Sequence, residues 1–453
     1  MRLREYQRFV DLPRNIADNH FLYYREHVNP NVANPWTRPV KTLALRTREV
    51  RGKRRKIRDF FEDFSLKNFG AMLKWFWSWL KHRFQRTHKF VTYKVGNQKT
   101  AGILRIEPEC RILLASDWGT ATVDAIAVAN KMRNLINKDS DPLSAVRPVI
   151  TIHLGDVYYT GEKEEYRDYF FPYWPVGTHK AYPTLLLNAN HEMYSGGHGY
   201  FDYAIKQVNQ ETSYFCLEND YWRIIGLDTG YHSVKADKGR ADKEKSNKLK
   251  LPKALVKWLR DVVFADPNDR RSLILLSHHQ WFCSFGSEYH RPAQQLSAWI
   301  NRPVLWFWGH EHVFAAYSLT EAVKDAKGKT VKGIPVYARC IGHGGMPAQI
   351  ERLNKKLAEN RKKGRLRDLV VWDQRIGSSV KETELGYNGF VDLMFQGSKV
   401  VVSYYDRQEA VLKESWQATP SGVQGTLLYN KLEPEAGRRI EELFGPTTDR
   451  QAA

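Results

Sequence analysis

From Arg111 onward the chain alternates short, β-rich apolar runs with stretches at helical spacing, a pattern that predicts an α/β layered domain. The apolar runs are RILLAS (111–116), PVITIHL (148–154), TLLLNA (184–189), RIIGLD (223–228), SLILLS (272–277), VLWFWG (304–309) and VYARCIG (336–342). GFVDLMF (389–395) and KVVVSYY (399–405) follow, and Gly397 and Ser398 between them read as the turn of a closing hairpin. Helical spacing fills the gaps, for example over 122–136 and 253–263. Two segments, 235–250 and 351–367, are rich in Lys and Arg and poor in apolar residues, and read as solvated helices or loops at the domain rim.

Before residue 89 the pattern differs. An Asn- and Pro-rich loop (27–39) and a basic run (51–58) precede the aromatic segment DFFEDFSLKNFGAMLKWFWSWLKHRF. There Leu66, Phe69, Leu73, Phe76, Trp77, Leu80 and Phe84 recur at helical spacing, with Lys67, Lys74, Ser78 and Lys81 largely on other faces. This predicts an amphipathic helix whose apolar stretch falls short of the ~20 residues that cross a bilayer. Such a helix either lies in a membrane interface or packs on the main domain or a second subunit. The expected organisation is a basic, aromatic appendage (1–88), a catalytic domain (89–408) and a C-terminal tail (409–453) with a weak helical signal over 433–444.

Charge sharpens the contrast between these parts. The formal net charge is +20, and residues 1–100 hold 23 Lys and Arg against 8 Asp and Glu. Such a region is either a solvated, solubilising excess or a surface for an anionic partner: a membrane through residues 51–88, a nucleic acid or an acidic protein. The four cysteines, Cys110, Cys216, Cys283 and Cys340, are spread singly, which fits buried thiols in a reducing compartment. MRLREYQRFVDLPRN lacks the 7–15-residue apolar core of a signal peptide, so the expected location is cytoplasmic, with peripheral membrane association as a further reading.

The chemistry lies at the ends of the apolar runs. RILLAS is followed by Asp117, TIHLG by Asp156, LLLNA by Asn190, His191 and Glu192, LILLS by His278 and His279, and VLWFWG by His310, Glu311 and His312. Singly, a polar residue after a strand is commonly a cap, and a lone His a satisfied core group. Five in succession point to one shared site, since ligands of open α/β sheets gather at strand C-termini. Carboxylates, a carboxamide oxygen and imidazoles suit hard or borderline cations such as Fe, Mn and Zn, and six such residues exceed what one open catalytic metal needs. A metal pair ~3.5–4 Å apart that shares a carboxylate is the natural solution.

The order Asp-x-Gly, Gly-Asp-x-x-Tyr, Asn-His-Glu, His, Gly-His-x-His resembles the calcineurin-like metallophosphoesterases, and SDWGT (116–120) with GDVYYTG (155–161) resembles the purple acid phosphatases among them. The likeness covers roughly residues 110–405 and implies a metallophosphoesterase-type β-sandwich flanked by helices. It implies that Asp117, Asp156, Tyr159 and His312 bind one metal and Asp156, Asn190, His278 and His310 the other, Asp156 bridging. Many relatives have a His where this chain has Gly119, and Tyr159 would fill that coordination position as a phenolate on ferric iron. Ala189 and Gln280 also depart from the family pattern, in ways that bear on loop shape more than on ligation.

The implied reaction is hydrolysis of a phosphate ester by a metal-activated hydroxide attacking phosphorus in line, with Asn190 among the groups that stabilise the transition state. The implied metals are Fe with Fe, Zn or Mn, or a pair of Mn ions. His191 is either the acid that protonates the leaving group or a brace, with Glu192 orienting it. His279, His290, His232 and the His343 of GHGG (342–345) are further candidates near the substrate, and YSGGHG (194–199) is a flexible loop at the pocket entrance. Other readings of the same chain are a nuclease, a nucleotide or lipid phosphodiesterase, or a membrane-associated scaffold that retains a metal site.

Overall fold

The computed structural model describes residues 87–93, 101–139, 148–178, 182–234, 249–324, 328–346, 348–362, 368–380 and 383–444. The aromatic helix expected over 66–84 and most of the 235–250 insertion lie outside them. With strands numbered in chain order, the first sheet runs β1 (Ile103–Arg105), β5 (Phe215–Glu218), β6 (Trp222–Leu227), β7 (Ser272–Ser277), β8 (Val304–Trp308), β10 (Thr330–Ile341), β9 (Phe314–Lys324) and β11 (Leu369–Trp372). The second runs β17 (Gly422–Asn430), β16 (Ala410–Thr419), β15 (Lys399–Asp406), β14 (Gly389–Gln396), β2 (Arg111–Ala115), β3 (Val149–His153) and β4 (Thr184–Leu186). A small hairpin pairs β12 (Ile376–Val380) with β13 (Thr383–Gly386).

The two sheets pack face to face, and the period-2 alternation of side chains decides what each residue touches. Ile112 and Leu114 of β2, Ile274 and Leu276 of β7, and Leu305 and Phe307 of β8 enter one shared core between the sheets. Their alternates point outward under helices. Leu113 and Ala115 join Ala125, Ile126 and Ala129 of the helix Val123–Asp139, whereas Leu273, Leu275, Val304, Trp306 and Trp308 join Leu255, Trp258, Ala293 and Leu296. Both faces of these strands are therefore dry, and their sequences read as unbroken apolar runs. This is the α/β layered sandwich that the sequence predicts.

One polar group is set into the inter-sheet core. Arg339 of β10 and Glu414 of β16, both fully buried, meet across the sheets with Nη2 to Oε1 at 2.7 Å. The Arg339 Nη1 donates to the carbonyls of Tyr317 and Ala338, and Glu414 Oε2 accepts from the Tyr404 hydroxyl and the Trp416 indole. The pair's hydrogen-bonding capacity is thus largely used, as burial of two charges demands.

Two expectations change, and the reading of the cysteines holds. The chain beyond 408 is no detached tail: Ala410–Thr419 and Gly422–Asn430 extend the second sheet as β16 and β17, and Ile440–Phe444 forms a 3₁₀ turn. AVLKESWQAT is rich in helix-favouring residues, and pairing against β15 overrides that propensity. The helix Ile350–Lys362 buries Ile350, Leu353 and Leu357 against the outer core, so this basic segment is solvated on one face alone. All four cysteines are buried and unpaired, and burial pushes the Cys110 and Cys216 thiols up to about 12. Among the described residues no helix is long and apolar enough to cross a membrane.

Candidate metal centre

Parallel pairing brings β2, β3 and β4 to a common C-terminal edge in one sheet and β6, β7 and β8 in the other. The residues that leave those edges converge. Asp117 follows β2, Asp156 follows β3, Asn190 follows β4, His278 follows β7, and His310 follows β8. All but His310 are buried, and Asp117 and His278 are wholly so. His278 Nε2 lies 3.3 Å from Asp156 Oδ2 and 3.3 Å from His310 Nδ1, which is itself 3.1 Å from Asn190 Oδ1. His312 Nε2 lies 3.5 Å from Asp117 Oδ1.

Backbone geometry fixes these directions. Of the five described non-glycine residues with positive φ, three are Asp117 (56°), Asp156 (68°) and His310 (69°). Left-handed backbone is costly for such residues and is retained where surrounding structure enforces a side-chain direction. The approach of the two sheets also needs glycine. A Cβ on Gly309 would lie 1.9 Å from Ser116 Oγ and 2.5 Å from Asp117 Oδ2, so only glycine lets His310 sit beside Asp117. At Gly119 a Cβ would meet the Val157 Cα at 2.9 Å, because Gly119 and Val157 pair as a β-bridge. No side chain fits there without a shift, which accounts for the missing His.

The electrostatics ask for positive charge. Asp117 and Asp156 are buried side by side, and burial alone would raise both carboxyls, yet His278 and the neighbouring imidazoles hold them below the usual carboxylate range. Burial pulls His278 down, but the two carboxylates push it up to about 9. Partial desolvation and the neighbouring His278 pull His310 down to about 4, leaving a neutral ring whose nitrogen is a donor atom for a cation. Oxygen and neutral-nitrogen donors converging around two desolvated carboxylates fit divalent or trivalent metal ions. Asp117, Asp156 and His278 offer ligand atoms within 4.8 Å of one another, as do His278, His279 and His310.

Residues 110–314 match the family model for the calcineurin-like phosphoesterases. These residues form a calcineurin-like phosphoesterase domain. Its activity class is the hydrolysis of phosphoric esters, and the family implies a dimetal centre. No curated protein matches significantly. Among solved structures the chain is similar to PhoD, with 13% identity over 74% of this chain and 75% of that one at a TM-score of 0.44. It is also similar to GAP50, described as the anchor in the inner membrane complex of Plasmodium (9% identity, 71% and 90% covered, TM-score 0.38), and to a dimetal phosphatase from Danio rerio (10%, 69% and 100%, 0.34).

Beside Tyr159, which the resemblance assigns to the metal, the neighbouring Tyr158 reaches the carboxylates. The Tyr158 hydroxyl lies 3.0 Å from Asp117 Oδ1, 3.4 Å from Asp156 Oδ2 and 3.1 Å from His312 Nε2. The Tyr159 amide donates to Glu165 Oε1 and its carbonyl accepts from His191 Nδ1, so the Tyr159 backbone is engaged away from the two aspartates. The chain turns sharply after the left-handed Asp156, and in such a turn the count of residues from Asp156 does not determine which side chain faces the site. Spectroscopy distinguishes the two tyrosines: Tyr158→Phe is expected to lower activity about 10–100-fold and to remove any charge-transfer band of the iron-loaded protein. Tyr159→Phe is expected to leave both close to wild type.

Other candidates turn out to hold the site together. Glu192 is fully buried, and its carboxylate accepts from the amides of Asp156, Val157 and Ala189 and from the Tyr166 hydroxyl. It ties the Asp156 turn to the start of the helix Asn190–Tyr194; burial, with Asp156 beside it, pushes it up to about 8. His343 is buried beside Phe314, and its loop is spent on structure: the amides of Gly344 and Met346 donate to the carbonyls of Ser116 and Asp117. The loop that carries His343 thus braces the Asp117 turn.

His279 is buried with Nδ1 on the Thr229 hydroxyl and its ring 4.7 Å from that of His310, and so supports His310 from behind. His290 pairs with Glu288 at 3.6 Å, and His232 packs against Tyr231. Sequence reasoning missed Tyr158, Ser116, whose hydroxyl donates to Asp117 Oδ2, and Tyr194, whose oxygen accepts from Asn190 Nδ2. Only Tyr194 carried a legible signal, since residues four apart on a helix share a face.

Proposed function

We propose that the site hydrolyses phosphate esters at a two-metal centre, with Asp156 shared, Asp117, His312 and Tyr158 serving one ion and Asn190, His278 and His310 the other. The convergence of these side chains from the strand ends of both sheets supports this reading. Bound there, the metals would supply Lewis-acid activation of water and of the phosphoryl oxygens. A phenolate from Tyr158 suits ferric iron, paired with Fe, Zn or Mn; a Mn pair without phenolate ligation is the alternative.

The chain's own residues do the rest. Asn190 directs its carboxamide oxygen at the His310 ring while its amide group is tied to Tyr194, so its orientation is fixed before substrate arrives. His191 donates through Nδ1 to the Tyr159 carbonyl, which leaves Nε2 as the titrating nitrogen, 3.7 Å from Asp156 Oδ2 and partly open to solvent. In this reading His191 Nε2 delivers a proton to the departing oxygen. Nitrophenolate needs no such proton, so His191→Ala should slow alkyl phosphates about 10²-fold or more and nitrophenyl phosphate far less. Equal losses on both would assign His191 a bracing role instead. A panel of nitrophenyl phosphate, bis-nitrophenyl phosphate, nucleotides, single-stranded DNA and a lipid phosphate, with Fe, Zn and Mn varied, tests the function. Turnover of at least one ester is expected; metal uptake without turnover of any would favour a scaffold.

A further inference from the structure

A second convergence of ligand types lies outside this centre, where the chain enters the domain. His88, His198 and Asp202 offer ligand atoms within 4.8 Å of one another. His88 Nε2 is 3.2 Å from Asp202 Oδ1, and His198 Nδ1 is 3.2 Å from Asp202 Oδ2, so each imidazole faces one oxygen of the same carboxylate. His198 belongs to YSGGHG, which directly follows Asn190, His191 and Glu192, and Asp202 is four residues further on one helical face.

The tautomer of His88 narrows what occupies the gap. Its Nδ1 lies 2.7 Å from the Lys89 carbonyl, which can only accept, so Nδ1 carries the proton. In the neutral ring Nε2 is then a lone pair aimed at a carboxylate, a contact that is repulsive without a cation between them. Ligating imidazoles are oriented in this way, one nitrogen donating to a backbone carbonyl and the other facing the metal. Without an ion, the contacts need a protonated His88 donating through Nε2 beside a neutral His198 donating through Nδ1. One divalent ion satisfies all three groups, and the separation of about 3.3 Å between neighbouring ligands of tetrahedral zinc follows from its ~2.0–2.1 Å bonds.

The ligands are also held in place. The His88 amide donates to the Gly196 carbonyl, its own carbonyl accepts from the Tyr231 hydroxyl, and its ring stacks on Phe201 at 5.0 Å. Lys206 Nζ stands 3.8 Å from Asp202 Oδ1 as a competing cation, but its side chain is 64% exposed and free to swing into solvent.

We propose that His88, His198 and Asp202 bind a zinc-class divalent ion that staples the segment following the basic N-terminal region onto the loop after the third ligand motif. That loop carries Tyr194, the partner of Asn190, so the staple ties residues 87–93 to the edge of the catalytic site. Two imidazoles and a carboxylate leave room for water, and this donor set selects zinc, cobalt or nickel over calcium and magnesium.

Equilibrium dialysis of the full chain against Zn²⁺, with elemental analysis of the retained metal, tests this. Asp202→Asn and His88→Gln should each hold one zinc per chain fewer than wild type, while Lys206→Ala holds as many. Asp202 is half-exposed, so its isosteric variant keeps the fold, and near-ultraviolet circular dichroism of each variant verifies that. The difference between variants is read, so the result does not depend on how many ions the buried centre takes. Equal zinc content in wild type, Asp202→Asn and His88→Gln would overturn the proposal.

Discussion

Asp156→Asn is expected to lower phosphoesterase activity about 10³-fold or more while leaving the fold intact. Asp156 is held from several sides of the site. Its Oδ2 faces His278, His191 and Tyr158, its Oδ1 accepts the His191 amide, and its own amide is held by Glu192. A carboxamide keeps the shape and can still accept the His191 amide, so the hydrogen bonds that shape the turn survive. The negative charge does not survive, and charge is what a shared ligand gives two cations. Metal ions contribute several kcal/mol to stabilising a phosphoryl transition state, and each 1.36 kcal/mol is tenfold in rate. Steady-state hydrolysis of the best ester in the panel, beside the metal content of the same sample, measures the effect. Activity within tenfold of wild type would remove Asp156 from the centre of the site.

The largest expected effect on stability lies elsewhere. Arg339→Met should destabilise the protein by about 3–5 kcal/mol, because it leaves Glu414 charged and unpaired in the core between the sheets. Glu414→Leu should cost a similar amount, about 3–5 kcal/mol, by stranding the guanidinium. The double variant should cost less than the sum of the two, since removing both charges removes the stranded partner in each case. Urea unfolding of the four proteins closes the cycle. Additive losses would mean that the two side chains act independently, against the 2.7 Å contact between them.

The parts of the fold legible in sequence are those where burial writes a simple code. Strands β2, β3, β6, β7 and β8 are dry on both faces, and each reads as an unbroken apolar run ending at a polar residue. Those endings, with that of β4, disclosed Asp117, Asp156, Asn190, His278 and His310 because parallel strands deliver their C-termini to one edge. Strands β9, β16 and β17 were not legible. FAAYSLTEAVK and AVLKESWQAT carry Ala, Leu, Glu and Lys, whose helical preference is overridden only by long-range pairing with β10 and β15.

At the site, residue type was legible but direction was not. Tyr158 and Tyr159 are chemically identical neighbours, and the turn after Asp156 decides which hydroxyl meets the carboxylates. The hydrogen bonds by which Glu192 and the loop of His343 hold the Asp156 and Asp117 turns are likewise not written in sequence position. The His88, His198 and Asp202 cluster joins positions separated by 114 residues in sequence and becomes visible only once the chain is folded.

The central claim is that residues from two sheet edges form one metal centre that hydrolyses phosphate esters. Its most direct test is to strip the purified full chain of metal, restore Fe, Zn or Mn singly and in pairs, and follow hydrolysis of nitrophenyl and bis-nitrophenyl phosphate beside Asp156→Asn treated in the same way. The structure predicts that activity vanishes with the metals and returns only in the wild type, at two ions bound in the buried centre. Activity that survives chelation, or that returns equally in Asp156→Asn, would contradict it.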